Sequence, residues 1–279
     1  MIRLSVIAGH DSRWQALTPR LRGVVLDAAS EEGSLLACDA AVFFELALGE
    51  IERYLLAGKP VLVAAEQGLT KETLQTLCTW GQVANLTTNA NLVVSNPDRY
   101  LPSRQLIYQH LQAGKFGEPG LVRIHRWGPD SQEGSMLFDL DLVLWFFRAV
   151  PRVVFAVAHQ RGTQIHLGFP AGGMALVGHA DLPAGEPYYS LSVIGASGAA
   201  YADDHSNVQL LYRGGSPRAV CTDEGIGHWA SLVQEFADAV RTDGTAGIQR
   251  PHWSEALRVA QAVETSLQTN QAVALEGVP

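Results

Sequence analysis

The apolar positions change rhythm partway along the chain. From Ile2 to about Val94, short apolar runs alternate with segments whose apolar residues recur at helical spacing, which predicts βαβ units and a parallel sheet. The predicted strands are IRLSVIA, GVVLDA, AAVFFE, PVLVAA and NLVVSN, and residues 47–57 and 71–82 are predicted helices between them. Only about ten residues, Ala28 to Ala37, separate the second and third strands. A parallel crossover with its own helix takes more, so this half is expected to be pared down.

From about Leu121 the rhythm becomes β-rich: LVRIHRW, RVVFAVAHQ, TQIHLGF, MALVGHA, YYSLSVIGA and NVQLLYR, broken by the turn clusters QRGT, PAGG and YRGGSP. These runs predict a predominantly antiparallel open sheet. Within this half, GSMLFDLDLVLWFF (134–147) reads as a helix with a buried face at 137, 140, 144 and 147, leaving Asp139 and Asp141 as a polar edge or cap. Two amphipathic helices follow, HWASLVQEFADAVRTDG and HWSEALRVAQAVETSLQTN, the first stopped at Asp243-Gly244. The expected fold class is α/β plus α+β, with domains at 1–97 and 98–279, a helix over 102–113 at the join, and C-terminal helices that can pack back toward the first domain.

Composition narrows the function. Hydrophobic residues make up 47% and charged residues 17% of 279, which fits a globular, enzyme-like chain. A net charge of −8 and the lack of any long basic run argue against nucleic acid as partner. Cys38, Cys78 and Cys221 are odd in number and widely spaced, so no disulfide framework or C-x-x-C zinc site is expected, and the compartment reads as reducing. The stretch MIRLSVIAGHDSRW lacks a continuous apolar signal core. No apolar run approaches the roughly 20 residues that span a bilayer. The expectation is a soluble cytoplasmic protein with no membrane partner.

Candidate chemistry is sparse. His159, His166 and His179 lie on consecutive predicted strands, but side chains alternate faces along a strand, and neither H-x-x-x-H nor H-E-x-x-H occurs, so no metal site is expected. Glu45 and Glu66 follow the third and fourth strands, at the strand ends where α/β sheets bind ligands. Together they suit a cationic or polyhydroxyl ligand, or stand as solvated loop acids. No Ser-His-Asp or G-x-S-x-G pattern is present.

Three scaffold stretches carry a family resemblance: the AGK-x-VL turn at Ala57 to Leu62, the passage NPDRYLPSRQLIYQHLQAGKFGEPG, and FADAVRTDG followed by W-x-EALRVAQAVETSLQTNQAVAL. In this order and spacing the chain resembles, along nearly its whole length, the Gfo/Idh/MocA family of NAD(P)-dependent sugar and polyol oxidoreductases. The resemblance implies a shortened Rossmann-like first domain, NAD(P) as cofactor, an interdomain crevice for ligands, and association through the exposed face of the large sheet. It also implies a nucleotide-binding glycine turn, a catalytic lysine after the fourth strand, and an aspartate and histidine one helical turn apart.

Each of these positions departs from the pattern. At the glycine turn, Ala8, His10 and Arg13 stand where three glycines are expected, and Asp11 adds negative charge where phosphates would lie. Gly9, His10, Asp27, Glu45 and Glu66 remain as crevice residues toward a cofactor or ligand, Asp27 as a ribose-binding acid or a capping one. In AGKPVLVAAEQGLT, Ala64, Ala65 and Glu66 fall on the family's Glu, Lys and Pro, and Lys59 stands at the wrong end of the strand to substitute. A register fixed on Asp141 and Trp145 places Gly134 on the catalytic Asp and Phe138 on the catalytic His, and sliding it to Asp139 brings Val143 to the histidine position. No catalytic residue is therefore expected.

The resemblance thus implies a catalytically degenerate relative acting in binding, regulation or assembly, as a homo-oligomer or with a protein partner. Two alternatives stay open. One is an active NAD(P)-dependent oxidoreductase with relocated groups, such as His10, Glu66 or Tyr100; the other is a sugar- or polyol-binding protein.

Overall fold

The computed structural model describes residues 1–8, 13–28, 37–64, 68–87, 91–128, 133–181, 188–203, 208–212, 218–221, 226–242 and 248–275. The chain forms two compact units, one from Met1–Leu101 with Gly225–Pro251, the other from Pro102–Glu224 with His252–Pro279. Among the described residues no helix is long and apolar enough to cross a membrane.

The first unit holds a parallel sheet of β1 (Ile2–Ile7), β2 (Val24–Ala28), β3 (Ala40–Phe43), β4 (Val61–Val63) and β5 (Leu92–Val94), in the order β2-β1-β3-β4-β5. All five coincide with predicted strands. The order is that of a doubly wound sheet reversing between β1 and β3. The β2-to-β3 link carries the chain past β1 to its far side, and residues 29–36 of it lie outside the described residues.

Helix α1 (Leu48–Leu56) buries Ile51, Tyr54 and Leu55 at helical spacing and ends at Gly58, whose φ of 72° suits glycine. Helix α2 (Lys71–Thr87) starts where Thr70 and Thr73 cap each other through backbone and hydroxyl groups. Between β1 and β2 the described residues form only short 3-10 turns, Arg13–Ala16 and Thr18–Arg20.

The sheet's missing cover comes from far along the chain. The helix Gly227–Arg241 (α5) buries Trp229, Leu232, Val233, Phe236 and Ala237 in one core with Leu4, Val6, Leu17, Leu26 and Val42. Each such large side chain contributes about 1.5–3 kcal/mol of burial. The segment 248–251 is tied back by Gln249 N–H donating to Glu235 (2.6 Å) and by Arg99 donating to the Arg250 carbonyl (3.2 Å).

The second unit begins with α3 (Pro102–Gln112), its proline in the first turn where no amide hydrogen is needed. It then builds β6 (Pro119–Gly128), α4 (Glu133–Phe147), β7 (Val153–His159), β8 (Gly162–Gly168), β9 (Met174–Asp181), β10 (Tyr188–Gly195), β11 (Ala199–Asp203), β12 (Val208–Tyr212), β13 (Arg218–Cys221), α6 (Trp253–Thr269) and β14 (Val273–Ala274). The nine-stranded sheet runs β13-β12-β11-β10-β6-β9-β8-β7-β14, antiparallel except for β6 beside β9. That parallel pair arises because α4 carries the chain back before the β7–β8 hairpin leads into β9. Strands β11 and β13 were not expected from the sequence.

Helix α4 corrects one expectation. Asp139 and Asp141 are not a polar edge: both are fully buried, in a run from Leu137 to Phe146 in which every residue is buried. The helix is enclosed because it lies between the sheet, which Asp139 reaches, and α6, which Phe138 and Asp141 reach. The Asp141 carboxylate accepts the His252 N–H (2.7 Å) at the start of α6, and Asn270 ends that helix in the left-handed region.

Candidate functional site

In a sheet of this order, ligands bind beyond the carboxyl ends of β1 and β3. Ala8 follows β1 and is buried. Phe44 follows β3; its N–H donates to the Ile7 carbonyl (2.9 Å), and its ring meets Trp229 of α5 edge-on at 5.5 Å. The half-buried Phe44 ring and the buried Trp229 ring thus sit together just beyond the β3 end. Asp27 and Glu45 lie at the ends of β2 and β3, both exposed and separated by β1. Gly9, His10, Ala65 and Glu66 lie outside the described residues.

A dinucleotide would need a helix N-terminus after β1 to hold its pyrophosphate. The described residues offer a four-residue 3-10 turn there and Phe44 against Trp229 beside it. Residues 9–12, which would form the turn itself, lie outside the described residues. Ala64, at the end of β4, is fully buried. Lys59 is a turn lysine, its ammonium donating to the Cys38 carbonyl (2.7 Å). Tyr100 is buried, and burial together with the nearby Glu235 carboxylate pushes its phenol pKa far up.

In the second unit, Gly134 falls in the first turn of α4. Phe138 packs 5.9 Å from Trp253 and is 5% exposed.

The charged centre of this unit is Asp139. Arg126 grips it side-on, Nε to Oδ2 at 3.0 Å and Nη2 to Oδ1 at 2.9 Å. His179 Nε2 lies 2.9 Å from Oδ2, within ion-pair distance but outside hydrogen-bond alignment. Burial alone would raise the carboxyl pKa; the Arg126 guanidinium and the His179 ring overcome it and hold the group well below the ordinary range.

Arg126 and His179 are register partners on β6 and β9, and Tyr189 is the partner of Arg126 on β10. The Tyr189 ring takes the guanidinium of Arg126 at 4.5 Å and that of buried Arg104, from α3, at 4.4 Å.

The three strand histidines do not converge. His166 pairs with Leu176, one residue out of phase with Val177 and His179, so it lies on the opposite face from His179. His159 shares the face of His166 but stands four residues beyond Phe155, the partner of His166, roughly 13 Å along the strand. Among the described residues no cluster of metal-ligating side chains occurs.

Sequence reasoning named Asp139 and His179 but gave them other roles, and it missed Arg126. The usable signal was parity: Arg126 and His179 lie in phase with Ile124 and Val177 on the covered face.

No protein-family model matches the sequence, and no curated protein does. Solved structures do match it. The UDP-N-acetylglucosamine 3-dehydrogenase GnnA from Acidithiobacillus ferrooxidans is 20% identical, with 96% of this chain and 98% of that one covered at a TM-score of 0.72. The aldose-aldose oxidoreductase from Caulobacter crescentus, complexed with glycerol, is 14% identical over 98% of this chain and 99% of that one, with a TM-score of 0.77. An oxidoreductase from Agrobacterium radiobacter in complex with NAD+, L-tartaric acid and magnesium is 11% identical over 98% of both chains, with a TM-score of 0.74. At these identities the likeness is one of fold, and this chain has the fold of the Gfo/Idh/MocA-type oxidoreductases.

Proposed function

We propose that this protein is a ligand-binding relative of the NAD(P)-dependent sugar and polyol oxidoreductases that does not carry out their hydride transfer. One observation carries the reading: at the position matched to the proton-handling histidine, Phe138 is buried against Trp253. A phenyl ring moves no proton, and removing a general acid or base typically costs 10²–10⁴-fold in rate. The Phe44–Trp229 ring contact just beyond the β3 end supports the same reading from the nucleotide side. The alternative with Tyr100 as a relocated acid loses support from its burial.

Calorimetric titration with NADH and NADPH tests the proposal, alongside a turnover assay with NAD+, NADP+ and a sugar and polyol panel. The expected result is neither micromolar binding nor turnover. Either one would overturn it.

The same reading includes self-association through the uncovered face of the nine-stranded sheet. Trp127, Met174, Ile194 and Tyr201 stand on it, 41%, 51%, 37% and 38% exposed, an apolar display unusual for a face turned to water. Light scattering of wild type and Trp127→Glu tests this: a dimer or larger species dissociated by the substitution is expected, and a wild-type monomer at tens of micromolar counts against it. Burial pushes the pKa values of the Cys38 and Cys78 thiols up, which keeps them protonated and unreactive.

A further inference from the structure

We infer that acid separates copies of this chain joined through the uncovered face of the nine-stranded sheet, with His125 as the group that takes up the proton. The inference rests on the self-association proposed above and adds its regulation.

That face is large enough for a second copy. At about 3.3 Å per residue and about 4.8 Å between strands, its nine strands offer on the order of 900 Å², against the roughly 800 Å² per partner that a standard interface buries. On the β7 side Val153 and Val157 add to the apolar display, 40% and 41% exposed.

His125 stands near the middle of the face. Register puts Gly178 of β9 and Ser190 of β10 on either side of it, with Gln164 of β8 beyond the glycine. Two residues earlier on β6, and so on the same face, Arg123 Nε donates to His125 Nε2. A guanidinium only donates, so Nε2 is the acceptor and the ring hydrogen lies on Nδ1. Gly178 makes the place for that ring: a Cβ there would meet Gln164 Oε1 at 3.0 Å and His125 Nδ1 at 3.5 Å. The neutral imidazole thus has a donor at one nitrogen and an amide oxygen on the side of the other.

A proton on Nε2 would displace the Arg123 bond and set two cations side by side. Among the described residues of this face, the other titratable groups do little to offset that charge. On β8 and β7 they are His166 and His159, both basic, and on β10 and β11 the phenols Tyr188 and Tyr201. The acid of His125's own row is Asp203 on β11, two strands and about 10 Å away between backbones. Burial, and after it the Arg123 charge, already lower the His125 pKa from its ordinary value. A second copy laid on the face withdraws more water from both groups, so association selects the neutral ring. The sign follows: association is at full strength above about pH 6.5, the ordinary histidine value, and weakens as pH falls through the lowered value of the free chain.

Analytical ultracentrifugation of the wild-type chain at pH 7.5 and pH 5.0 tests this, with circular dichroism to follow folding at both. The dissociation constant is expected to rise about tenfold or more at pH 5.0, one proton being taken up per protomer. His125→Gln keeps an acceptor for Arg123 but takes no proton, and should associate alike at both pH values, while His166→Gln keeps the wild-type dependence. A dimer of equal strength at both pH values, tighter association at pH 5.0, or a His125→Gln protein as acid-sensitive as wild type overturns the inference and leaves self-association standing. A wild-type monomer at tens of micromolar at pH 7.5 overturns both.

Discussion

Arg126 on β6 and His179 on β9 are register partners in the parallel pair of the nine-stranded sheet, and both reach the carboxylate of Asp139. The chain direction of this one pair sets the cluster, since any other partner for β6 on that side would bring a different row opposite Arg126.

Asp139→Asn should therefore destabilise the second unit by about 3 kcal/mol, because removing one member of a buried pair strands the other charge. The pH dependence has a definite sign. The folded carboxyl titrates well below its unfolded value of about 3.9, so its stabilisation is complete above about pH 5 and drains away as pH falls below about 4. Urea denaturation of wild type and variant should converge over that acid range; curves staying equally far apart down to pH 3 would count against the pair.

Ser266→Ala should cost about 1–3 kcal/mol. The Ser266 hydroxyl accepts the Ala156 N–H (2.9 Å) and donates to the Gln271 carbonyl (2.6 Å), both within the second unit. Without it a buried amide on β7 loses its acceptor. Hydrogen exchange at Ala156 should accelerate relative to Val154, and unchanged protection there would contradict the assignment.

Phe236→Ala should cost about 3–5 kcal/mol in the unfolding of the first unit, the usual loss for a large buried ring. Deleting 225–251 should prevent that unit from folding, since it strips the sheet of Trp229, Leu232, Val233 and Phe236 together. Circular dichroism and denaturant titration of the deletion protein check this; a cooperative transition of undiminished size would show that α5 is dispensable.

Glu235→Gln should flatten a pH trend. Burial raises the Glu235 carboxyl pKa, so the folded state prefers the protonated form and stability falls as pH rises from about 4.3 toward that raised value. The glutamine variant lacks this slope. Equal slopes for both proteins between pH 4 and 7 would refute the prediction.

Phe138→His should not produce a dehydrogenase. The new ring would be buried against Trp253, where an unpaired polar group costs about 1–3 kcal/mol. The expected result is a lower melting temperature with no turnover of NAD+ and a sugar panel; measurable turnover would reverse the proposed function.

The parallel sheet was legible because five buried strands leave continuous apolar runs between turn residues, and Gly58-Lys59-Pro60 marks one boundary plainly. Strand β11, read as AAYAD, has too little bulk to register as a strand; it holds its place because Ala200 and Ala202 are buried and it is hydrogen-bonded on both sides. The role of Asp139 was illegible for another reason. Helical spacing shows where apolar residues recur, yet a helix enclosed on both sides has no polar edge, and only its neighbours decide whether an aspartate there is solvated or paired. The seating of α5 on the first sheet depends on contacts across roughly two hundred residues of sequence, beyond the reach of any local pattern.

The chain crosses from one compact unit to the other three times, at 101–102, 224–225 and 251–252. During synthesis, the parallel sheet emerges early yet lacks its α5 cover until most of the polypeptide has been made, so the nascent first unit is obliged to wait with an apolar face uncovered. A protease nick at any one crossing would leave both halves tethered by the remaining two, and the cleaved protein should still migrate as a single particle until denatured.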